Sequence, residues 1–245
     1  MTDSLIFIGR SLRLSVRSID ALLTAIFLPV GIMLMFVYVF GGAIDTSGRY
    51  VDYVVPGIIV LCVGFGSAGT AVAVAMDMTN GVIDRFRTLP ISSAAVLTGH
   101  VAASVARNVV SALLVLGVAL LAGFRPTAEP LNWLAAAGIL LAVMVAISWI
   151  AASFGLLVSS VEAANAITFV AAFAPYVSSA FVVPDTMPDG LAWVAENQPV
   201  TPIADTLRAL MLDTPVGNDW ILALAWCAAG IVIGRTAAAY LFRRR

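Results

Sequence analysis

Long stretches of this chain without Asp, Glu, Lys or Arg include residues 21–44, 53–76, 108–124, 130–161, 163–184 and 220–234. No other property narrows the fold as far, because a membrane helix needs about 20 mainly apolar residues. The third stretch extends back through Arg107 and the sixth forward past Arg235, near span ends where long basic side chains snorkel to the interface. The sequence therefore predicts six transmembrane helices, at about 21–43, 54–76, 99–123, 133–157, 164–183 and 219–241. Hydrophobic residues make up 61% of the 245 and charged residues 11%, against about 25% charged in a soluble domain. So short a chain has no water-soluble way to bury that much apolar surface. The expectation is an all-α polytopic membrane protein with a single domain over 1–245. A soluble enzyme, a disordered chain and a nucleic-acid binder are excluded.

The polar inventory excludes further chemistry. All 13 basic residues are Arg. Without Lys there is no Walker P-loop, whose Lys reaches the nucleotide phosphates, and no Schiff base. The chain cannot itself be a P-loop ATPase. His100 is the one His, and Cys62 and Cys227 are the two Cys. That set falls short of the three or four convergent ligands of a zinc site. Both Cys lie in apolar runs and read as small buried hydrophobes, with a disulfide between them left open. The run Gly64-Phe65-Gly66-Ser67-Ala68-Gly69 is superficially like a serine-hydrolase elbow. It puts Phe65 where G-x-S-x-G needs Gly, and a close helix crossing is the better reading.

Orientation follows from the arginines. Residues 4–19 carry Arg10, Arg13 and Arg17 at helical spacing, with Leu5, Ile8, Leu12, Val16 and Ile19 on another face. This is the pattern of an amphipathic helix lying in the membrane interface. No small-residue cleavage site follows a short apolar core, as a signal peptide would require. Placing that end inside puts Arg10, Arg13, Arg17, Arg85, Arg87, Arg243, Arg244 and Arg245 on the cytoplasmic side and leaves Arg49, Arg125 and Arg208 outside. The positive-inside rule then makes both termini cytoplasmic.

No Asp or Glu falls in the middle of a span, although ion- and proton-coupled carriers place ionisable groups there. Asp77, Arg107, Glu162 and Arg235 fall near inner span ends, where they pair, meet headgroups or form an inner gate. Ser67, Thr70, Asn108, Ser111, Ser148, Ser153, Asn165, Thr168, Ser178 and Ser179 read as helix-to-helix contacts, and Gly230 with Gly234 as a GxxxG packing seam.

Two loops carry more information. The inner one includes Asp77–Ser92, in which Ile83, Phe86 and Leu89 recur three apart while Asp84, Arg85 and Arg87 take other faces. Gly81 precedes this turn of helix and Pro90 ends it. Such a short amphipathic helix lies on lipid or docks its apolar stripe into a partner's groove. The outer loop, 184–219, is long and apolar and holds Pro184, Pro188, Pro199, Pro202 and Pro215. Two helices are predicted within it, at 191–196 and 203–212, with Thr201 as cap and Pro202 at the first helical position of the second. Asp205 and Arg208 stand three apart, as a weak surface pair would. Helices of this kind dip into the outer leaflet, and any non-helical break at that depth needs protein or water around it.

Together these features resemble the type-2 ABC exporter permeases, in particular the daunorubicin/doxorubicin-resistance subgroup. The run Gly81-Val82-Ile83-Asp84-Arg85-Phe86-Arg87-Thr88-Leu89-Pro90 looks like that family's coupling-helix region. The run Asn197-Gln198-Pro199-Val200-Thr201-Pro202-Ile203-Ala204-Asp205-Thr206-Leu207-Arg208-Ala209-Leu210 looks like its motif before the last span. His100 departs from the basic Arg found in many relatives. The resemblance implies a half-transporter in the bacterial plasma membrane. Asp84, Arg85, Phe86, Arg87, Thr88, Leu89 and Pro90 would couple to the ATPase. Pro199, Thr201, Pro202, Asp205 and Arg208 would belong to outer re-entrant helices at the exit. It further implies two separate ATP-binding subunits, which would hold the ATP and Mg that this chain does not bind. A second permease, the same or a sister, would complete the path, with lipid around it and an amphipathic drug, lipid or natural product as cargo.

Export of a polysaccharide or glycolipid by the same fold is the alternative. A secondary carrier, an intramembrane enzyme and a non-transporting scaffold are readings from other classes. The missing mid-span charges oppose the first of these, and the lone His without paired carboxylates opposes the second.

Overall fold

The computed structural model describes residues 19–44, 50–81, 93–171 and 173–244; helices supply its regular structure, with no strand among the described residues. Helix α1 (Ile19–Leu34) runs into a π-helical stretch at Met35–Phe40 and a last α turn at Gly41–Ile44. Four long helices follow: α2 (Tyr50–Thr79), α3 (Ser93–Leu121), α4 (Pro130–Leu157) and, at the end of the chain, α8 (Asp219–Arg244). Each is long and apolar enough to cross a membrane. The 30 residues of α2 rise about 45 Å, more than the roughly 30 Å hydrocarbon layer. Between α4 and α8 lie α5 (Val161–Ala171), α6 (Asp189–Asn197) and α7 (Val200–Met211), joined by 3₁₀ turns at Ala174–Val177 and Pro184–Thr186.

The fifth expected span, 164–183, is therefore not one helix. Helix α5 has 11 residues and rises only about 17 Å. Pro175, which has no N–H to give and whose ring clashes with the preceding turn, falls in the 3₁₀ turn that follows. The first span is interrupted as well, by the π stretch. The interfacial helix expected at 4–19 falls outside the described residues, Ile19 apart.

Helix α2 is the centre of the bundle. It packs against α1, α3, α4, α5 and α7, and 67% of its apolar stretch is buried, against 28% for α8. Small residues make the close crossings. A methyl group on Gly155 of α4 would lie 2.5 Å from the Ala71 carbonyl oxygen of α2, and one on Gly234 of α8 would lie 2.8 Å from the Ile150 nitrogen of α4. The GxxxG expectation holds, since Gly230 faces the same helix at Ala146. Cys62 and Cys227 are both buried, and no disulfide joins them.

The segment 173–188, which joins α5 to α6, is called the hairpin, and at its end of the bundle the connections are stitched together. Gly123 closes α3 with φ +106, a conformation favoured by glycine. The Phe124 N–H then bonds back to Ala119 O, and the Phe124 ring is fully buried. Beyond it, the Arg125 N–H donates to Asp52 at the start of α2, and the Thr127 N–H and hydroxyl donate to Met211 and Leu212 at the end of α7. Asn132 of α4 donates to Asp213, which ends α7 with φ 52.

Candidate functional site at the broken hairpin

The interruption after α5 leaves backbone groups with no helical partner. In hydrocarbon each such group costs several kcal/mol, roughly, unless protein satisfies it. Here side chains from distant parts of the chain do so. The Ser179 carbonyl accepts from the Tyr53 hydroxyl at 2.7 Å and from the Arg208 guanidinium at 2.8 Å. The Phe181 carbonyl accepts from the Tyr50 hydroxyl at 2.8 Å. The Ser179 N–H donates to the Thr201 hydroxyl at 3.1 Å, and the Ala180 N–H to the Ser178 hydroxyl at 3.0 Å. Gln198 donates its side-chain amide to Val177 O.

Arg208 is the hub. Besides the Ser179 carbonyl, it donates through Nε to Tyr53 O at 3.0 Å and through a terminal nitrogen to Asp205 Oδ1, and its guanidinium lies 3.9 Å above the Tyr53 ring centre. The Ser179 hydroxyl donates to the same Asp205 oxygen at 2.8 Å. The Asp205–Arg208 pair is thus half-buried in a network, which corrects the expectation of a weak surface pair. The sequence spacing is right, but α7 turns that face onto α2 rather than to water.

The hairpin sits hard against α2. A methyl group on Gly57 would come within 2.6 Å of the Ala180 carbonyl. Gly57 lies two turns into α2, about 10 Å from its start. Glycine is needed there because backbone meets backbone.

Thr201 does not cap α7. The helix begins at Val200, with Pro199 already helical at φ −65 and ψ −26. The Thr201 hydroxyl instead donates to Ala195 O, joining α6 to α7, and accepts from the hairpin. Thr201 and Pro202 are buried and Pro199 is exposed. The exit set is therefore brought together around Arg208, Asp205 and Thr201.

The proposed inner gate divides. At the end opposite the hairpin, Asp77 Oδ2 lies 3.1 Å from His100 Nε2, across the α2–α3 seam. Arg107 donates to the Thr70 hydroxyl at 3.1 Å in the same seam. Glu162 and Arg235 are exposed. Glu162 stands in the first turn of α5, where its own backbone N–H and the Ser160 hydroxyl hold the carboxyl below the usual carboxylate range. Ser160 also accepts from the Ala163 N–H, as a helix cap does. The coupling residues Asp84, Arg85, Phe86, Arg87, Thr88, Leu89 and Pro90 lie outside the described residues.

Beneath the hairpin an apolar cleft of about 300 Å³ opens between α2, α4 and α5, with Gly64, Ala68, Ile147, Phe154, Pro175 and Pro199 among its walls. Its one polar side chain, Thr168, is turned back to its own helix, donating to Ala164 O at 2.8 Å.

Sequence reasoning missed Tyr50 and Tyr53, which carry the hairpin from the α2 side. Two tyrosines three residues apart at the start of a span were the available signal, since they share a helix face. It also left His100 unassigned, though its partner stands at the facing end of the preceding span.

A bundle of long apolar helices with a broken hairpin braced on its central helix defines a polytopic helical membrane protein. Residues 4–212 match the ABC-2 type transporter family, and the chain belongs to that family. It is similar to the daunorubicin resistance ABC transporter permease protein DrrB1 of Streptomyces coeruleorubidus, with 32% identity over 214 residues, 86% of this chain and 75% of that protein. It is also similar to the probable doxorubicin resistance ABC transporter permease protein DrrC of Mycobacterium tuberculosis, with 25% identity over 251 residues, 100% of this chain and 89% of that one. Both relatives are permeases, membrane components rather than ATPases.

Proposed function

We propose that this chain is the membrane subunit of an ATP-driven exporter that moves an amphipathic drug, lipid or natural product out across a bacterial plasma membrane. The observation that carries this reading is the apolar cleft directly beneath the hairpin, free of ionisable side chains. It suits an apolar or amphipathic cargo and gives a proton- or ion-coupled carrier nothing to titrate. The hairpin end faces outside and both termini face the cytoplasm, as the arginine distribution favours. Six crossings are made, of which those through α1 and α5 are interrupted.

Hydrolysis belongs to separate subunits. Two ATP-binding subunits hold ATP and Mg, and each receives the Asp84–Pro90 segment of one permease. Two permeases enclose the path. Closure of the ATPases moves the inner ends of the spans, and the hairpin around Arg208 yields to release cargo outward.

Native mass spectrometry of the permease purified from its own cells in mild detergent tests this. The expected particle contains two permeases and two ATP-binding subunits. A permease found alone, with mild crosslinking capturing no ATPase, overturns the exporter reading.

A further inference from the structure

Helix α3 carries a polar stripe away from the hairpin network. His100, Ser104, Arg107, Asn108 and Ser111 recur at helical spacing, and they face partners on two helices. His100 meets Asp77, Arg107 meets Thr70, and Asn108 Nδ2 donates to the Ser67 hydroxyl at 2.8 Å, all on α2. Ser148 of α4 donates to Ser104 at 2.8 Å. From residue 100 to residue 111 this row rises about 17 Å, more than half the hydrocarbon thickness.

Two atoms of the stripe are poor glue. Asn108 Oδ1 and Ser111 Oγ are buried, and neither has a hydrogen-bond partner among the described residues. A buried orphan acceptor lowers stability, so packing alone does not account for Asn108. The close approach is specific. The Asn108 oxygen occupies the place a side chain on Gly66 would take, 1.8 Å from where a methyl carbon would stand. Local rules broken in this way are expected where a residue serves function rather than stability.

The same helix α2 holds the hairpin at its other end through Tyr50 and Tyr53. We infer that Asn108 and Arg107 are positioning residues that clamp α2 to α3, making the two helices one lever that carries movement from the Asp77–His100 end to the hairpin. The inference rests on the exporter reading and assigns the coupling route within it. Ser67 and Thr70 are the α2 side of the clamp. With the clamp intact, a shift at one end of α2 cannot be absorbed by sliding along α3 and reaches the Ser179 and Phe181 carbonyls.

The test uses the purified permease–ATPase complex with Cys62 and Cys227 replaced by Ala and a reporter, Val183→Cys, at the exposed edge of the hairpin. Its labelling rate by a charged maleimide is compared without nucleotide and with ATP trapped by vanadate. In the otherwise unaltered complex the rate changes several-fold on trapping. In Asn108→Ala the change is lost while ATP turnover persists, and Tm changes little because the orphan acceptor and the bond to Ser67 go together. Ser67→Ala, a smaller cut on the other helix, gives the same loss, and the double variant loses no more than either. A nucleotide response retained in both single variants, or a lowered Tm with the response intact, overturns the lever and leaves the exporter reading standing. A purified complex that turns over ATP but never alters the hairpin overturns the lever as well. A permease that binds no ATPase overturns both.

Discussion

Removing the Arg208 side chain should loosen the hairpin by an amount that can be worked from its contacts. Arg208→Ala deletes hydrogen bonds to Tyr53 O, Ser179 O and Asp205, together with the stacking over the Tyr53 ring. Hydrogen bonds to charged groups are worth about 1.5–3 kcal/mol each, which would sum far too high. Two facts lower the figure. The Ser179 carbonyl keeps the Tyr53 hydroxyl, and Asp205 keeps the Ser179 hydroxyl, so neither acceptor is orphaned. The Asp205 side chain is also 30% exposed, so its attraction to Arg208 is screened. Neighbouring contacts in one network do not add. About 3 kcal/mol is expected, which for a chain of this size lowers Tm by about 6–12 °C. Arg208→Lys keeps a charge but not the planar fork, and should recover about 1 kcal/mol of that loss. The assay is thermal unfolding of the detergent-solubilised protein at one fixed scan rate, because irreversible unfolding makes Tm rate-dependent. An Arg208→Ala variant within about 2 °C of the unaltered protein refutes the claim that this residue carries the hairpin.

Gly57→Ala places a methyl group against the Ala180 backbone and should cost about 2 kcal/mol by overpacking, with export falling while ATPase association is retained in a pull-down. Phe86→Asp or Leu89→Asp should abolish cargo-stimulated ATP turnover without unfolding the permease; stimulated turnover at the unaltered rate removes the docking assignment. Trp193→Cys, at a side chain 67% exposed on α6, should react with an impermeant maleimide from outside intact cells, and reaction only in opened cells reverses the topology. Glu162 has a lowered folded-state pKa, so its stabilisation is present above the unfolded carboxyl pKa and is lost as pH falls through the folded one. The Tm values of Glu162→Gln and the unaltered protein should therefore differ near neutrality and converge below about pH 4.

What could be read from the sequence follows the range over which each interaction acts. The spans that became α2, α3, α4 and α8 are set by local hydropathy, and so they were legible. The helices expected at 191–196 and 203–212 became Asp189–Asn197 and Val200–Met211, because prolines mark their ends. The break in the fifth span was not legible. Apolar composition says that 163–184 belongs in lipid, but not whether its backbone is satisfied within one helix. Here the donors are Tyr50 and Tyr53, separated from their acceptors by 131 and 126 residues. No periodicity reports such a contact. The residues expected at the exit were picked out by resemblance, whereas the contacts of Arg208 with the Ser179 and Tyr53 carbonyls came only from the structure.

On the proposed reading, in which the hairpin yields to release cargo, the way it is held bears on how it opens. A continuous helix at this position would have to break its own backbone ladder to move, at several kcal/mol for each group exposed to hydrocarbon, roughly. The hairpin has already broken that ladder and replaced it with side-chain donors from α2 and α7. Releasing those donors moves a few carbonyls and one guanidinium toward water at the membrane surface, where they are hydrated. A bias of about 3 kcal/mol, the value worked out for Arg208, keeps such an element closed roughly 150-fold over open. On that reading it is large enough to hold the hairpin closed at rest. It is also small enough for a modest displacement of α2, which carries two of the donors, to overcome. The polar clamp between α2 and α3 and the tyrosine brace on the hairpin are in this view opposite ends of one device. Stiffness is concentrated along α2, and compliance is confined to the short segment of broken backbone at its tip.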